Sequence, residues 1–417
     1  MRLSRTKVDR LHRRLFPRRA PLVAALAIVV LAGCAHRLRE TNTSTSGQTP
    51  STSSVGEQLS MPAGGWPGSP VSGVRTLVSK YAGRVSWSPE GQIAYGLFDH
   101  MIDGTRYADI YVMNADGTGA HCLTCNNPHV PHLSNDVPVW DPSGRFIVFE
   151  GQNPGLGPIS PHLSQGGAGF NNNLWAITPD GSHAWQLTNV LRGEAVLHPQ
   201  FSPDGHELVW AAYDRLQGIR RLFHRGQWDI HTARFVLNAT GQPYLTDEHV
   251  YRPGNALVTT FYETHVVSNS GTIIFSSNMD SKFQSSCNGC ALGIWRWNPN
   301  RSSPPALLTP DTSAWNEHAA LSPSGRHIAW ITSQGERFVP NRHWGATLQT
   351  DWWLMRPNGT HALRATYFNS SNNPGLRVIC AESSWNATGT ALVGTVDLIH
   401  AGAATSEIVV ITFRTPQ

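Results

Sequence analysis

Short apolar runs alternate with turn residues along most of the chain. Ile93-Ala94-Tyr95, Phe146-Ile147-Val148-Phe149, Leu208-Val209-Trp210 and Ile328-Ala329-Trp330 are each three or four residues long and rich in aromatic or β-branched side chains. Runs of this kind, bounded by Gly and Pro, predict strands. One turn phrase recurs ahead of them: Ser88-Pro89-Glu90-Gly91, Asp141-Pro142-Ser143-Gly144, Ser202-Pro203-Asp204-Gly205, Ser268-Asn269-Ser270-Gly271, Ser322-Pro323-Ser324-Gly325 and Asn386-Ala387-Thr388-Gly389. Pro presets φ at the first central position, and Gly accepts the positive φ that turns the chain into a hairpin.

A second phrase follows within the units, as in Asp109-Ile110-Tyr111-Val112-Met113-Asn114, Leu174-Trp175-Ala176-Ile177 and Trp352-Trp353-Leu354-Met355, each ahead of a further Asp-Gly or Asn-Gly turn. A short last strand ends in Leu123-Thr124, Leu187-Thr188, Leu245-Thr246, Leu308-Thr309 or Ala365-Thr366. Four strands per unit and six units predict an all-β fold, a single six-bladed β-propeller over residues 73–417. The phrase glycines lie 53, 61, 66, 54 and 64 residues apart, more than the roughly 40 to 45 of compact blades, so the units carry loop insertions. The sixth unit lacks its fourth strand. Val74-Arg75-Thr76-Leu77-Val78 has the pattern of one and no unit of its own, so it is expected to close the last blade and leave no open edge.

Charge divides the chain in two. Eight basic residues precede Cys34 with only Asp9 opposing them; from Cys34 onward 24 basic and 27 acidic side chains remain, which disfavours a nucleic-acid partner. Residues 1–33 read as an export signal, with an Arg-rich start and an apolar run from Leu22 to Leu31 that is too short to span a bilayer. Leu31-Ala32-Gly33-Cys34 resembles the lipobox of bacterial lipoproteins, which implies lipidation at Cys34 and anchoring to the cell envelope, on the periplasmic or surface side of the outer membrane. Residues 41–60 contain 11 Ser or Thr, and 34–72 are expected to form a flexible tether.

The two blade phrases together resemble the TolB-like propeller repeats over about residues 73–413. The helical domain that precedes the propeller in TolB itself has no counterpart in these residues, which argues against a direct part in Tol-Pal translocation.

Inner strands of a propeller line its channel. Counting seven residues back from each phrase glycine gives Arg84, Val137, His198, Thr264, His318 and Glu382; eight back adds Asp136, Glu263 and Glu317, and His265 lies one step further in. Imidazole and carboxylate donors at equivalent positions suit Zn²⁺ or Mn²⁺. His198, His265 and His318 are the candidate metal ligands, Glu263, Glu317 and Glu382 the candidate catalytic carboxylates, and Arg84, Asp136 and Glu382 the candidate ligand-binding groups. A belt of His-Glu hydrogen bonds between blades, or a metal-free pocket, would use the same residues. His198-Pro199-Gln200-Phe201 resembles channel-mouth segments of oligogalacturonate lyases, propeller enzymes that use Mn²⁺ on uronates. Insertions near 151–172, 212–227, 277–291 and 333–350 are expected to cover the same mouth and complete a pocket.

Cys122-Leu123-Thr124-Cys125 and Cys287-Asn288-Gly289-Cys290 are expected to form local disulfides that pin loops at the mouth, leaving Cys380 as a free thiol. The features point to a monomeric envelope lipoprotein that binds a protein or glycan partner through a His/Glu-lined pocket. The alternative is a metal-dependent lyase or hydrolase acting on acidic polysaccharide.

Overall fold

The computed structural model describes Leu59 and residues 61–417, apart from 103–104, 157–160, 165–166, 215–226, 255–259, 280–290, 310–312, 337, 339–346, 371–374 and 402. The export signal, Cys34, Cys287 and Cys290 therefore lie outside the described residues. Six four-stranded antiparallel sheets form the six blades. Their inner strands are Ala82–Trp87, Asn135–Trp140, Ala195–Phe201, Tyr262–Val267, Asn316–Leu321 and Leu376–Trp385, in blades one to six. A 3-10 turn, Pro154–Leu156, and an α-helical turn, Pro161–Ser164, lie between the second and third strands of blade two.

The repeated phrases have repeated mechanics. Each phrase glycine has positive φ, between 67° and 95°, and donates its amide to the carbonyl of the phrase's first residue, as Gly205 does to Ser202 at 2.8 Å. That first side chain then takes an amide at the start of the next strand: Ser202 Oγ accepts from Glu207, Ser322 Oγ from His327 and Asn386 Oδ1 from Ala391. The Leu-Thr ending works in the same way. Thr124, Thr188, Thr309 and Thr366 accept the third-strand amides of Ile110, Leu174, Ile294 and Trp352 at 2.8 to 3.0 Å, satisfying a donor that the very short outer strand leaves unpaired. Blade three departs from this because its outer strand, Pro243–Tyr251, runs nine residues and supplies backbone partners instead.

The last blade takes its outer strand from ahead of the first. Val71–Val78 pairs antiparallel with Ala403–Phe413, in register Val74 to Ile411 and Arg75 to Val410. This closure begins three residues before the Val74 expected, and the ordered chain starts earlier still. Trp66 is 7% exposed and stands edge-on to Phe368, 5.4 Å between centroids, while Ser69 Oγ donates to the Ala365 carbonyl. Residues Trp66–Pro70 are thus packed on blade five, not part of a loose tether, because a Trp and the unpaired end of the outer strand both find partners there. The apolar core fills the spaces between blades, with Trp210, Trp315, Trp330 and Trp352 fully enclosed. Trp385 donates its indole N–H to the Ala320 carbonyl and so ties blade six to blade five, in keeping with a packing role for the strand tryptophans.

Cys122 and Cys125 are disulfide-bonded. The bond sits at the outer strand of blade one, where Cys122 pairs with Tyr111, and so lies at the rim and not at the channel mouth. Cys380 is free and buried in the inner strand of blade six.

Candidate functional site

Every inner strand breaks its ladder at the same level. The register shifts fall between Ala82 and Val85, Asp136 and Val139, Leu197 and Gln200, Thr264 and Val266, Glu317 and Ala320, and Cys380 and Ser383. A bulge re-aims the side chain it releases, and the six bulges contain Arg84, Val137, His198, His265, His318 and Glu382. In blade four only residue 265 is unpaired, so His265 takes the place that counting assigned to Thr264. Thr264 stays in the ladder and donates its hydroxyl to the His198 carbonyl at 2.8 Å. Val137, His198 and His318 have φ of 57°, 52° and 53°, a conformation costly for residues with a Cβ and held only where surroundings impose it. For His198 one such support is visible: its amide donates to Glu150 Oε1 at 2.9 Å.

The three imidazoles converge. Ring centroids of His198 and His318 are 5.7 Å apart, and His265 lies 6.3 Å from the first and 5.9 Å from the second. Glu263 Oε1 stands 2.7 Å from His198 Nδ1 and 3.3 Å from His318 Nδ1. One ligand atom each from His198, Glu263, His265 and His318 lies within 4.8 Å of the others, and all four residues are buried. His265 Nε2 meets Ser276 Oγ at 2.6 Å. By contrast, His198 Nε2 and His318 Nδ1 make no well-formed hydrogen bond, although Glu382 Oε1 stands 3.3 Å from the first and 3.5 Å from the second. An unsatisfied polar atom at this depth is costly and calls for an explanation.

Burial pushes the His198 pKa down to about 4 and those of His265 and His318 well below the ordinary value, so the imidazoles are neutral at pH 7 and keep lone pairs for a cation. Burial has the opposite effect on acids: Glu263 rises to about 8, and Glu317 rises further as the neighbouring Glu263 adds to it. Those two carboxyls are hydrogen-bonded to each other, and Trp315 Nε1 donates to Glu317 Oε2 at 2.9 Å. Arg84 pairs through Nε with Glu382. Burial works against its charge, but Glu382, Asp136 and Asp397 outweigh that and hold its pKa above the ordinary value.

A cavity of about 630 Å³ opens over this floor, lined by Arg84, His198, His265, His318 and Glu382 and rimmed by Pro203 and Ser322–Gly325. Its rim includes the turn phrases that follow the inner strands of blades three and five. This differs from the mouth expected under the long insertions, and the reason is the strand direction: beyond each bulge, small residues such as Ser86, Ala320 and Ser384 leave space toward the turn end. The central parts of the insertions, 215–226, 280–290 and 339–346, lie outside the described residues. Glu263, Glu317 and Asp136 do not line the cavity. Asp136 instead accepts the Arg84 amide at 3.2 Å and fills the room left by Gly83 and Gly96, where a Cβ would come within 2.7 and 2.0 Å of its Oδ1. Glu150 and Asp397, buried acids raised by desolvation to about 8 and about 7, belong to the same region and escape counting because they sit on second strands.

No protein-family model matches the chain, and no curated protein matches it in sequence. Among solved structures it is similar to an oligogalacturonate lyase in complex with manganese, at 10% identity and TM-score 0.42, over 82% of this chain and 93% of that one. It is also similar to the β-propeller domain of the Trilobed protease from Pyrococcus furiosus, at 9% identity and TM-score 0.44, over 81% and 98%. A Mycobacterium tuberculosis puromycin-hydrolysing peptidase matches at 12% identity and TM-score 0.43 over 78% of this chain; the chain spans 53% of that peptidase's length. These neighbours are β-propeller proteins.

Proposed function

We propose that this protein is a lipid-anchored, monomeric propeller of the bacterial cell envelope that binds a polar partner in its axial cavity, above a divalent ion held by His198, His265, His318 and Glu263. The observation that carries the reading is the convergence of these four buried donors, each with a ligand atom within 4.8 Å of the others. The donor set, nitrogen and oxygen without sulfur, suits Mn²⁺ or Zn²⁺. The blade phrases support a place among TolB-like repeats, and Leu31-Ala32-Gly33-Cys34 supports anchoring at Cys34.

A cavity of about 630 Å³ has the size of a small-ligand site. That favours a glycan over a protein surface. Arg84 at the cavity floor is paired with Glu382, so an acidic glycan would have to exchange with that carboxylate. The second reading, a lyase on acidic polysaccharide, rests on the same floor: a bound divalent ion would polarise a uronate carboxylate as a Lewis acid, while Glu382 stands at the cavity surface.

The experiment is to add oligogalacturonate to the Mn²⁺-loaded full chain and follow both binding by calorimetry and the ultraviolet absorbance of unsaturated products. Metal-dependent binding without new absorbance supports the binding role, and growing absorbance establishes the lyase. Equal behaviour with and without metal contradicts both.

A further inference from the structure

Blade three carries a second convergence of ligand-type side chains, away from the axis. Its second strand, Glu207–Asp214, and third strand, Gln227–Leu237, pair Ala212 with Asp229 and Trp210 with His231. Alternation along a strand therefore puts Asp214, Asp229 and His231 on one face of the sheet. One ligand atom from each lies within 4.8 Å of the others.

The surroundings orient them. Glu248 Oε1 stands 2.7 Å from His231 Nδ1, a contact that places the ring proton on Nδ1 and leaves a lone pair on Nε2. That Nε2 has no hydrogen-bond partner, belongs to a side chain only 9% exposed, and faces Asp214 Oδ2 at 3.9 Å. A lone pair aimed at a carboxylate across this gap is repulsive, and a cation between them turns repulsion into ligation. Arg252 grips both oxygens of Asp229, Nη2 to Oδ2 at 2.8 Å, which fixes that carboxylate and offsets one negative charge. Carboxylate behind histidine, with the other ring nitrogen turned to a pair of acids, is the arrangement by which proteins orient metal-binding imidazoles.

We propose that Asp214, Asp229 and His231 form a zinc-binding site distinct from the axial one, with Glu248 and Arg252 holding the ligands in place. Tetrahedral zinc with bonds of about 2 Å separates its donors by about 3.3 Å, so the ligands close in slightly on binding. Asp214 can make that move because its side chain is 40% exposed, and the same exposure gives the ion access and a water at its fourth position.

The two sites are separated by titrating zinc alone into the full chain carrying His198→Gln and His318→Gln. This variant is expected to keep one equivalent of zinc. Adding Asp214→Asn removes it, and Glu248→Gln weakens it roughly 10- to 100-fold. A double variant that binds no zinc, or an Asp214→Asn change that leaves affinity untouched, overturns the proposal. Should the double variant fail to fold, the comparison is made in the parent: Asp214→Asn must lower zinc stoichiometry by one equivalent, and unchanged stoichiometry overturns the site.

Discussion

Glu150 holds the backbone of His198: its Oε1 accepts the His198 amide at 2.9 Å, at a residue whose φ is 52°. A second-strand carboxyl of blade two thus supports the bulge that presents an imidazole of blade three to the axis.

Burial raises the Glu150 pKa to about 8, against about 4.5 in an unfolded chain. Its protonated form is the one that the fold favours, so the stability it contributes is full below about pH 4.5 and is lost as pH rises through 8. Glu150→Gln keeps an acceptor for the His198 amide and removes the titration. The variant is expected to gain stability relative to the parent between pH 5 and pH 8.5, read as the difference in urea midpoint; a difference that does not change with pH contradicts the assignment.

Blades five and six interlock at Gly394, where an added Cβ would come within 2.3 Å of Trp352 Cζ2. Gly394→Ala must displace a fully enclosed indole. A loss of about 1 to 3 kcal/mol is expected from such overpacking, measured by urea denaturation. No loss would mean that the two blades are loosely joined.

Ring closure makes the segment around Trp66 structural. Trp66→Ala should cost about 3 kcal/mol as a buried aromatic is lost. Deleting 35–58 should leave the melting temperature unchanged, whereas deleting 35–78 exposes the edge of Ala403–Phe413 and should cause aggregation. Equal melting of the two truncations contradicts the closure.

Much of this was legible in sequence because repeats translate counting into position. Six turn phrases fixed six blades, and seven residues back from each glycine reached Arg84, His198, His318 and Glu382 at the cavity. Counting missed in blade four, where the bulge releases His265 and keeps Thr264 in register; a one-residue difference in ladder pairing leaves no mark in composition. Glu150 and Asp397 were illegible for another reason. They are single acids within apolar second strands, and their reach to the next blade depends on how the sheets pack. The Asp214, Asp229 and His231 group lies off the repeat altogether, on a blade whose outer strand, Pro243–Tyr251, is extended.

In the proposed function the anchor is Cys34, at the end of Leu31-Ala32-Gly33-Cys34. Cys34→Ser should move the protein from the membrane to the soluble fraction, since a multiply acylated thiol supplies about 0.8 kcal/mol per buried methylene. Retention of the variant in membranes after a high-salt wash contradicts lipidation as the anchor.

The central claim is that His198, His265, His318 and Glu263 hold a divalent ion beneath the ligand cavity. Its most direct test is elemental analysis of the purified parent and the His198→Gln, His318→Gln double variant, with melting temperatures alongside. Glutamine keeps hydrogen bonding and loses the imidazole lone pairs, so the account predicts that the variant carries one equivalent of Mn or Zn less than the parent while the two metal-free proteins melt alike. Equal metal content in the two proteins, with the variant simply melting lower, would show that the cluster is a structural belt.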